Sequence, residues 1–195
     1  MILASQSKSR ADMLRNAGVP IEIEPARIDE AAVKSALLSE AAPARDIADC
    51  LAEMKALRIS PRYPDELTLG ADQILVCEDQ IFDKPTDMST AREQLQSLRG
   101  KTHQLHSAAV IAERGAPIWR HIGTARLTMR PFTDAFLNSY LEQFGEMALT
   151  SVGAYHLEGL GAQLFQRIEG DYFSILGLPL LEILGFLRAR GELVE

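Results

Sequence analysis

Short apolar segments with strand character alternate with amphipathic helical segments along this chain, and this alternation limits the possible folds more than any other feature. Residues 2–4 form an apolar run, and Met13 and Ala17 then follow at helical spacing before Gly18. Residues 67–77 form a longer run of the same strand-like kind. Because strands and helices alternate in this way, we expect an α/β or mixed α+β domain.

The remaining segments are assigned by the same criteria. Further strands are predicted at residues 21–25, 81–82, 103–113, 118–130 and 162–168. Further helices are predicted at residues 29–40, 46–57, 133–144 and 178–190, and after a capping box at residues 90–93. Loops are expected at residues 58–66, 114–117 and 170–177. A chain of 195 residues without a repeat or a clear linker indicates one domain over residues 1–195, which can be cleft into two lobes.

The charge balance excludes several classes of partner. The chain has 20 Lys and Arg residues against 27 Asp and Glu residues, a net charge of −7. Affinity for nucleic acid depends on Lys and Arg that neutralise phosphates, so we expect no nucleic-acid partner. The longest apolar stretch, residues 176–187, is too short for a bilayer, so we expect no membrane partner. Cys50 and Cys77 lack metal-binding spacing and no signal-peptide pattern is present, which indicates a cytoplasmic protein with reduced thiols.

The first candidate site is the serine-rich segment between the first strand and the first helix. It contains Ser5, Ser7, Ser9 and Arg10. Backbone N–H groups, serine hydroxyls and the positive end of the helix dipole attract anions, and a guanidinium can bind a phosphate through two hydrogen bonds. The alternative is an ordinary N-cap cluster with a solvated Arg10.

The second candidate is Asp72, followed by Gln73, inside the apolar run of residues 67–77. A carboxylate is costly to bury unless it is paired or binds a metal. Lys84 follows twelve residues later, and a hairpin would bring it back toward Asp72. The two side chains then form either a base or metal ligand beside a phosphate-binding cation, or a structural ion pair.

Two further segments have the composition of a ligand site. Asp29 and Glu30 precede a predicted helix, although acidic residues also occur there because they complement the helix dipole. The glycine-rich residues 153–161 include Glu158, which can accept hydrogen bonds from the edge of a base. Glycines in that segment permit either close approach of the backbone to a ligand or an ordinary turn.

Three familiar site patterns are absent from the sequence. The serine-rich segment lacks the glycine spacing and the Gly-Lys-Ser/Thr ending of a Walker-type phosphate loop. No serine lies in a G-x-S-x-G nucleophile elbow. His103 and His106 fall on opposite faces of a predicted strand, so we expect no metal site from this pair.

These candidate segments occur together, in one order, along the whole chain. The start of the sequence, LASQSKSRADML at residues 3–14, resembles the start of the Maf family of nucleoside triphosphate pyrophosphatases. The other matching segments are residues 29–30 (DE), 51–56 (LAEMKA), 70–73 (GADQ), 83–85 (DKP), 98–103 (LRGKTH), 153–155 (GAY), 169–172 (EGDY) and 175–180 (ILGLPL). Each segment is short, but nine of them in register cover essentially the whole sequence.

The resemblance implies an elongated mixed sheet flanked by helices, two lobes with a cleft, and commonly a homodimer. It also implies hydrolysis of a nucleoside triphosphate substrate to the monophosphate and pyrophosphate, with a divalent cation, Mg²⁺ or Mn²⁺, as cofactor. By their positions in the motifs, Asp72 would accept a proton from the attacking water, and Arg10, Lys55 and Lys84 would contact phosphates. Glu30 and Asp72 would hold the metal.

The resemblance extends to the base of the substrate. One Maf branch, which acts on dTTP and UTP, has Thr after the aspartate and Gln in the late glycine-rich motif, where this chain has Gln73 and Glu158. Residues 158–170 (EGLGAQLFQRIEG) are similar to the branch that hydrolyses 7-methyl-GTP, and a carboxylate suits the N1–H and 2-amino donors of guanine. We expect 7-methyl-GTP or a related modified nucleotide, with dTTP, UTP or a broad range as alternatives. At the position of Ser9, each of the two branches has a different residue.

The residues expected to contact substrate in this family are Ser5, Ser7, Ser9, Lys55, Gln73 and Glu158.

The expected function, nucleotide hydrolysis, has one alternative in each of two other classes of protein. A nucleotide-binding regulator of cell division without turnover would need no water-activating Asp72. A dimerisation module using the apolar helix at residues 178–187 would leave the charged residues in apolar segments unexplained.

Overall fold

The computed structural model describes residues 1–194, and within them seven strands form one mixed sheet. The strands are β1 (Ile2–Leu3), β2 (Glu22–Ile23), β3 (Thr68–Cys77), β4 (Gln80–Phe82), β5 (Thr102–Glu113), β6 (Ala116–Met129) and β7 (Phe165–Glu169). Their order is β2-β1-β3-β5-β6-β7, and β4 pairs with β3. Strand β1 is parallel to β2 and β3, whereas the β3–β4 and β6–β7 pairs are antiparallel. The expected mixed α/β class is confirmed.

Seven α-helices of the described residues flank this sheet. They are α1 (Lys8–Asn16), α2 (Glu30–Ser39), α3 (Ala44–Ile59), α4 (Met88–Leu98), α5 (Asp134–Phe144), α6 (Tyr172–Ile175) and α7 (Leu180–Ala189). Short polar side chains begin several of them: Ser7 caps α1, Asp29 caps α2 and Thr133 caps α5. Within residues 1–194, no helix has the length and apolar character needed to cross a membrane.

The chain divides into two compact units. The first unit consists of residues 1–73, 106–123 and 171–194, and the second of residues 74–105 and 124–170. Strands β3, β5 and β6 contribute residues to both units. Neither unit is therefore a continuous stretch of chain.

The core of the first unit joins helices α1 and α7 to strands β1 and β3. Leu14 of α1 and Leu69 of β3 are fully buried in it. Leu180, Ile183 and Leu187 lie at helical spacing on α7 and are buried in the same cluster. The apolar stripes that predicted these helices are therefore the surfaces that form the core.

In the second unit, helix α4 and strand β6 each have one buried apolar face. Ala91, Leu95 and Leu98 lie on one face of α4 and are fully buried. Burial alternates along the end of β6 as the sequence predicts, with buried side chains at Ala125, Leu127 and Met129.

Three predicted boundaries are wrong. Asp87, rather than the capping box at residues 90–93, begins α4, and its side chain accepts a hydrogen bond from the backbone N–H of residue 90 at 2.8 Å. The predicted loop at residues 170–177 contains α6, because Asp171 caps a short helix there. The strand predicted at residues 162–168 begins at Phe165, since a 3-10 turn precedes it.

Two predicted loops are shorter than expected. Helix α3 continues to Ile59, and a 3-10 turn at Ser60–Arg62 occupies part of residues 58–66. Strands β5 and β6 are joined by Arg114 and Gly115 alone, with φ angles of 51° and 79°. Two consecutive positive φ angles fit the tight hairpin turns that match the twist of the strands. The other predicted helices and strands are present, with ends that differ by a few residues.

Candidate active site

Asp72 lies in the middle of β3, and only 5% of its surface is exposed. Its Oδ1 atom accepts a hydrogen bond from Lys55 Nζ at 2.6 Å. Its Oδ2 atom is buried and has no hydrogen-bond partner in the described part of the chain. Because a buried carboxylate oxygen without a partner is costly, this atom is available to a ligand, a water molecule or a metal.

Gly70 explains how Lys55 reaches Asp72. A Cβ atom at Gly70 would lie 2.1 Å from Ala52 O and 2.5 Å from Ala56 N, both in the backbone of α3. Only glycine permits this approach, and Gly70 faces the same side of β3 as Asp72, two residues later. The close contact of helix and strand therefore brings the side chain of Lys55 beside the carboxylate.

Lys55 also connects Asp72 to the acidic pair at the start of α2. Its Nζ atom lies 2.9 Å from Glu30 Oε1, and Lys55 itself is 6% exposed. The neighbouring Asp29 caps α2 by accepting a hydrogen bond from Ala32 N. Asp29 therefore has the structural role of a helix cap, whereas Glu30 lies at the candidate site. The ion-pair partner of Asp72 is Lys55 of the same unit.

Arg10 of α1 is buried and held by backbone carbonyls. Its Nε atom donates to Gly177 O and its Nη1 atom donates to Ala71 O, both at 2.9 Å. Burial lowers the pKa of the Arg10 guanidinium, and the carboxylates of Asp72 and Glu30 raise it. Carbonyl groups satisfy hydrogen bonds without neutralising the charge, so the positive charge remains available to an anion.

The serines of the predicted anion-binding segment have separate contacts. The Ser5 Oγ atom accepts from Ser7 N and from Arg10 Nη1, each at 3.2 Å. Ser7 caps α1 by accepting from Arg10 N, so the N-cap interpretation is confirmed for this residue. Ser9 Oγ donates to Leu176 O at 3.2 Å. Arg10 itself is buried rather than solvated.

Gln73 points away from the ion pair of its neighbour Asp72. Its Nε2 atom lies 2.9 Å from Ser107 Oγ, 3.1 Å from Ser174 O and 3.0 Å from Ile175 O. Successive side chains of a strand project to opposite faces, so Asp72 faces α3 and Gln73 faces α6. Ser107 Oγ also donates to Ser174 O at 2.6 Å.

Lys84 and Glu158 lie in the second unit. Lys84 follows β4, which pairs with β3 in the predicted hairpin, and its side chain is exposed. Glu158 is exposed between 3-10 turns at Val152–Ala154 and Leu160–Leu164. In the first unit, ion pairs join Glu30, Lys55 and Asp72, and hydrogen bonds join Ser5, Ser7 and Arg10. Ser9, Arg10 and Gln73 donate to backbone carbonyls of residues 174–177 in the same unit.

Comparison with known proteins identifies the family. A family model described as Maf-like protein matches residues 1–190. The chain belongs to the Maf family. A relative from Jannaschia sp., named nucleoside triphosphate pyrophosphatase 1, is 53% identical over 191 residues, which cover 98% of this chain and 96% of the relative. A relative from Paramagnetospirillum magneticum, named nucleoside triphosphate pyrophosphatase, is 52% identical over 193 residues, which cover 99% of this chain and all of the relative.

Two polar residues of this Maf site are not among the candidates from the sequence. Ser107 is fully buried in β5, and Ser174 is buried in α6. Ser107 directly follows His106 at the start of the apolar residues 108–112, so it lacks the signal that identified Asp72, a charged residue inside an apolar run. Asp171 stands three residues before Ser174, and this spacing is typical of a helix N-cap. The spacing would have predicted α6.

Proposed function

We propose that this chain hydrolyses nucleoside triphosphates between the α and β phosphates and releases a nucleoside monophosphate and pyrophosphate. Its Maf membership, and relatives named nucleoside triphosphate pyrophosphatase, support the reaction class, which is a hydrolase. The observation that carries the proposal is the buried carboxylate of Asp72. Lys55 holds Oδ1, while Oδ2 has no partner in residues 1–194 and can accept a proton from a water molecule.

Cations and hydroxyls would bind the phosphates. Cleavage of a polyphosphate concentrates negative charge on the transferred and leaving oxygens, so positively charged side chains lower the barrier. We assign this role to Arg10 and Lys84. Ser5 and Ser7 use their oxygens as acceptors inside the protein, so their hydroxyl hydrogens are available to phosphate. Ser9 already donates its hydrogen to a backbone carbonyl, so its contribution to phosphate binding would be indirect.

The residues at the ion pair also fit a divalent cation. Glu30 and Asp72 supply carboxylate oxygens, which Mg²⁺ and Mn²⁺ prefer, and Asp72 Oδ2 has no protein partner in the described chain. Residues 1–194 contain no group of three or more His, Cys, Asp or Glu side chains that could hold a metal by themselves. Phosphate oxygens and water would complete the coordination, as is usual for Mg²⁺. The bound cation would neutralise charge on the phosphates.

Glu158 is our proposal for the residue that selects the base. Its exposed carboxylate can accept hydrogen bonds from the N1–H and 2-amino groups of guanine. A negative charge also tolerates the positive charge of a 7-methylated base. We therefore propose 7-methyl-GTP or a related modified nucleotide as the preferred substrate. The homodimer and the cytoplasmic location stay predictions from the sequence.

The test is a panel of 7-methyl-GTP, GTP, UTP and dTTP, each incubated with the protein and Mg²⁺. We expect equal amounts of nucleoside monophosphate and pyrophosphate, with the highest kcat/KM for 7-methyl-GTP. Removal of the divalent cation with EDTA should stop turnover. Release of orthophosphate and a diphosphate would contradict the proposed bond. Stabilisation of the fold by nucleotide without any product would identify a binding protein.

A further inference from the structure

The turn that carries Glu158 is closed by contacts to one backbone carbonyl, that of His156. The N–H group of Gly159 donates to His156 O at 3.3 Å and closes a turn over residues 156–159, in which Glu158 is the third residue. A Cβ atom at Gly161 would lie 2.4 Å from the same carbonyl oxygen, so only glycine allows the chain to pack so closely there. The position of Glu158 therefore depends on where His156 lies.

The chain before His156 is held by burial, and His156 lies where that burial ends. Ala154 is fully buried and Tyr155 is 5% exposed. His156 is half-buried, whereas Glu158 and Gly159 are exposed. A segment with few buried apolar contacts opens locally at little cost, so this turn depends on specific contacts to keep one conformation.

The side chain of His156 supplies such contacts at the start of the turn. Its Nε2 atom lies 2.8 Å from Thr150 Oγ1, and its ring meets the ring of Phe144 edge-on, with centroids 5.3 Å apart. The Thr150 hydroxyl has one hydrogen, which it donates to Met147 O at 2.7 Å. Thr150 Oγ1 can therefore only accept from the imidazole, so His156 carries a hydrogen on Nε2 and donates it.

Thr150 is in turn attached to the 3-10 turn at Gly145–Leu149, which directly follows α5. Its backbone N–H group also donates to Met147 O, at 3.1 Å. A series of hydrogen bonds thus runs from this 3-10 turn through Thr150 to the imidazole of His156, and from the carbonyl of His156 to the turn with Glu158.

We propose that His156 is a positioning residue, which fixes the turn of residues 156–159 so that the carboxylate of Glu158 meets the base. His156 acts through Glu158 and does not itself contact the substrate. This inference rests on the proposed function, in which Glu158 selects the base.

A positioning role and a purely structural role have different consequences for substrate preference. A displaced Glu158 weakens recognition of guanine, so it lowers the ratio of kcat/KM for 7-methyl-GTP to kcat/KM for UTP. Loss of folded protein lowers the rate by the same factor for every nucleotide and leaves this ratio unchanged. The ratio is therefore the decisive quantity.

Two substitutions remove the same hydrogen bond from its two sides. His156→Phe keeps a ring against Phe144 but lacks the Nε2–H donor, and Thr150→Val lacks the acceptor. We expect the ratio to fall about fivefold in each variant, the effect of one hydrogen bond, and no further in the double variant. Thr150→Ser keeps the hydroxyl and should retain the ratio of the unaltered protein.

Combination with Glu158→Gln separates positioning from direct contact with the base. If His156 acts through Glu158, His156→Phe has no further effect on the ratio once Glu158 is replaced. If His156 contacts the base, the two effects on the ratio multiply, and Thr150→Val changes the ratio little. Either of these last two results would overturn the positioning role.

Hydrogen exchange measured by NMR tests the same inference without turnover. The N–H group of Gly159, which is bonded to His156 O, should exchange faster in His156→Phe and Thr150→Val than in Thr150→Ser. Ser139→Ala is the control, because it removes an exposed hydroxyl of α5 that accepts from Gln143. It should change neither the ratio nor the exchange. Unchanged exchange in both folded variants would contradict the proposed anchoring of the turn.

The outcomes also distinguish this inference from the proposed function. If Glu158→Gln lowers the ratio whereas His156→Phe and Thr150→Val leave it unchanged, the positioning role alone is wrong. If Glu158→Gln itself leaves the ratio unchanged, the base selection proposed for Glu158 is wrong, and this inference with it.

Discussion

The two units of this molecule bury ionisable side chains in opposite ways. In the first unit, Arg10, Lys55 and Asp72 are buried with charges of both signs in contact or close proximity. In the second unit, His103 is 1% exposed, and its Nε2 atom lies 2.8 Å from the hydroxyl of Tyr155. Burial lowers the pKa of His103 to about 4 and raises the pKa of Tyr155. These groups are neutral at pH 7.

The difference lies in the partners available to each group. In the first unit, opposite charges lie next to one another and offset part of the cost of burying them. His103 instead contacts the rings of Tyr155 and Phe165, which cannot stabilise a positive charge as a carboxylate would. Its Nδ1 atom has no partner in the described residues. We therefore expect changes in the first cluster to affect catalysis and changes in the second to affect stability.

The largest effect is expected from Asp72→Asn, which removes the proposed proton acceptor. Turnover should fall about a thousandfold, because Asn cannot accept the proton, while its amide oxygen can still accept from Lys55. Pyrophosphate release and circular dichroism would be measured together. Asp49→Asn is the control, since Asp49 is also a carboxylate of the first unit, paired with Arg120. Near-normal turnover of Asp72→Asn would remove Asp72 from the mechanism.

The second unit should respond to acid through His103. The unfolded chain binds a proton near pH 6.5, whereas the folded protein binds it only near pH 4, since burial disfavours the charged ring. Neutral His103 makes its full contribution to the free energy of unfolding above pH 6.5. This contribution decreases as the pH falls, by about 3 kcal/mol at pH 4. Burial also lowers the pKa of His106, which belongs to the first unit and adds to the decrease for the whole protein.

Urea unfolding at pH 7 and pH 4.5 would measure this dependence. His103→Gln keeps a hydrogen-bonding group for Tyr155 but does not titrate, so its free energy of unfolding should decrease less between the two pH values. Gln166→Ala, at an exposed position of β7 in the same unit, is the control and should behave as the unaltered protein does. An identical decrease in the His103 variant would show that another group is responsible.

Glu158→Gln would sharpen the comparison by testing whether the second unit also has a role in function. We expect the kcat/KM ratio of 7-methyl-GTP to UTP to fall about tenfold, because the neutral amide is a weaker acceptor for guanine. Stability should not change, since Glu158 is exposed. Glu142→Gln, at an exposed position of α5, is the control. An unchanged substrate profile would refute the proposed role.

The smallest effect is expected from Tyr140→Phe in the second unit. The Tyr140 hydroxyl donates to Ala154 O at 3.0 Å, and loss of this buried bond should lower the free energy of unfolding by about 1 kcal/mol. Turnover should remain normal. Tyr172→Phe, at an exposed position, should change neither quantity. A loss of activity in Tyr140→Phe would contradict the expectation that changes in the buried residues of the second unit affect only stability.

Most helices and strands follow from the sequence because periodicity is a local property. The apolar stripe of α7 and the alternation along β6 predict their buried faces directly. The errors occur at helix starts, where several residues compete to cap the same helix. Residues 90–93 form a plausible capping box, but Asp87 accepts the backbone hydrogen bond instead. Local sequence shows which residues can cap, and packing decides which of them does.

The candidate site was predictable to a similar degree. Asp72 stands out because a carboxylate is costly to bury in an apolar segment unless it is paired or binds a ligand. Arg10 stands out because it follows a serine-rich turn at a helix N-terminus, where anions bind. The approach that Gly70 allows between α3 and β3 could not be deduced from spacing, since residues 55 and 72 are far apart in sequence. The same holds for Gln73 and residues 174–177, which lie about one hundred positions away.

The sequence by itself determined the class of fold, the family and the identity of the charged residues. It did so because strand and helix periods, caps and motifs depend on neighbours within a few positions of the chain. The tertiary structure alone decided that Lys55 pairs with Asp72, that Oδ2 of that carboxylate is left without a partner, and that Gln73 faces the segment after α6. These contacts join distant parts of the chain, and only the packing of a helix against a strand sets such distances.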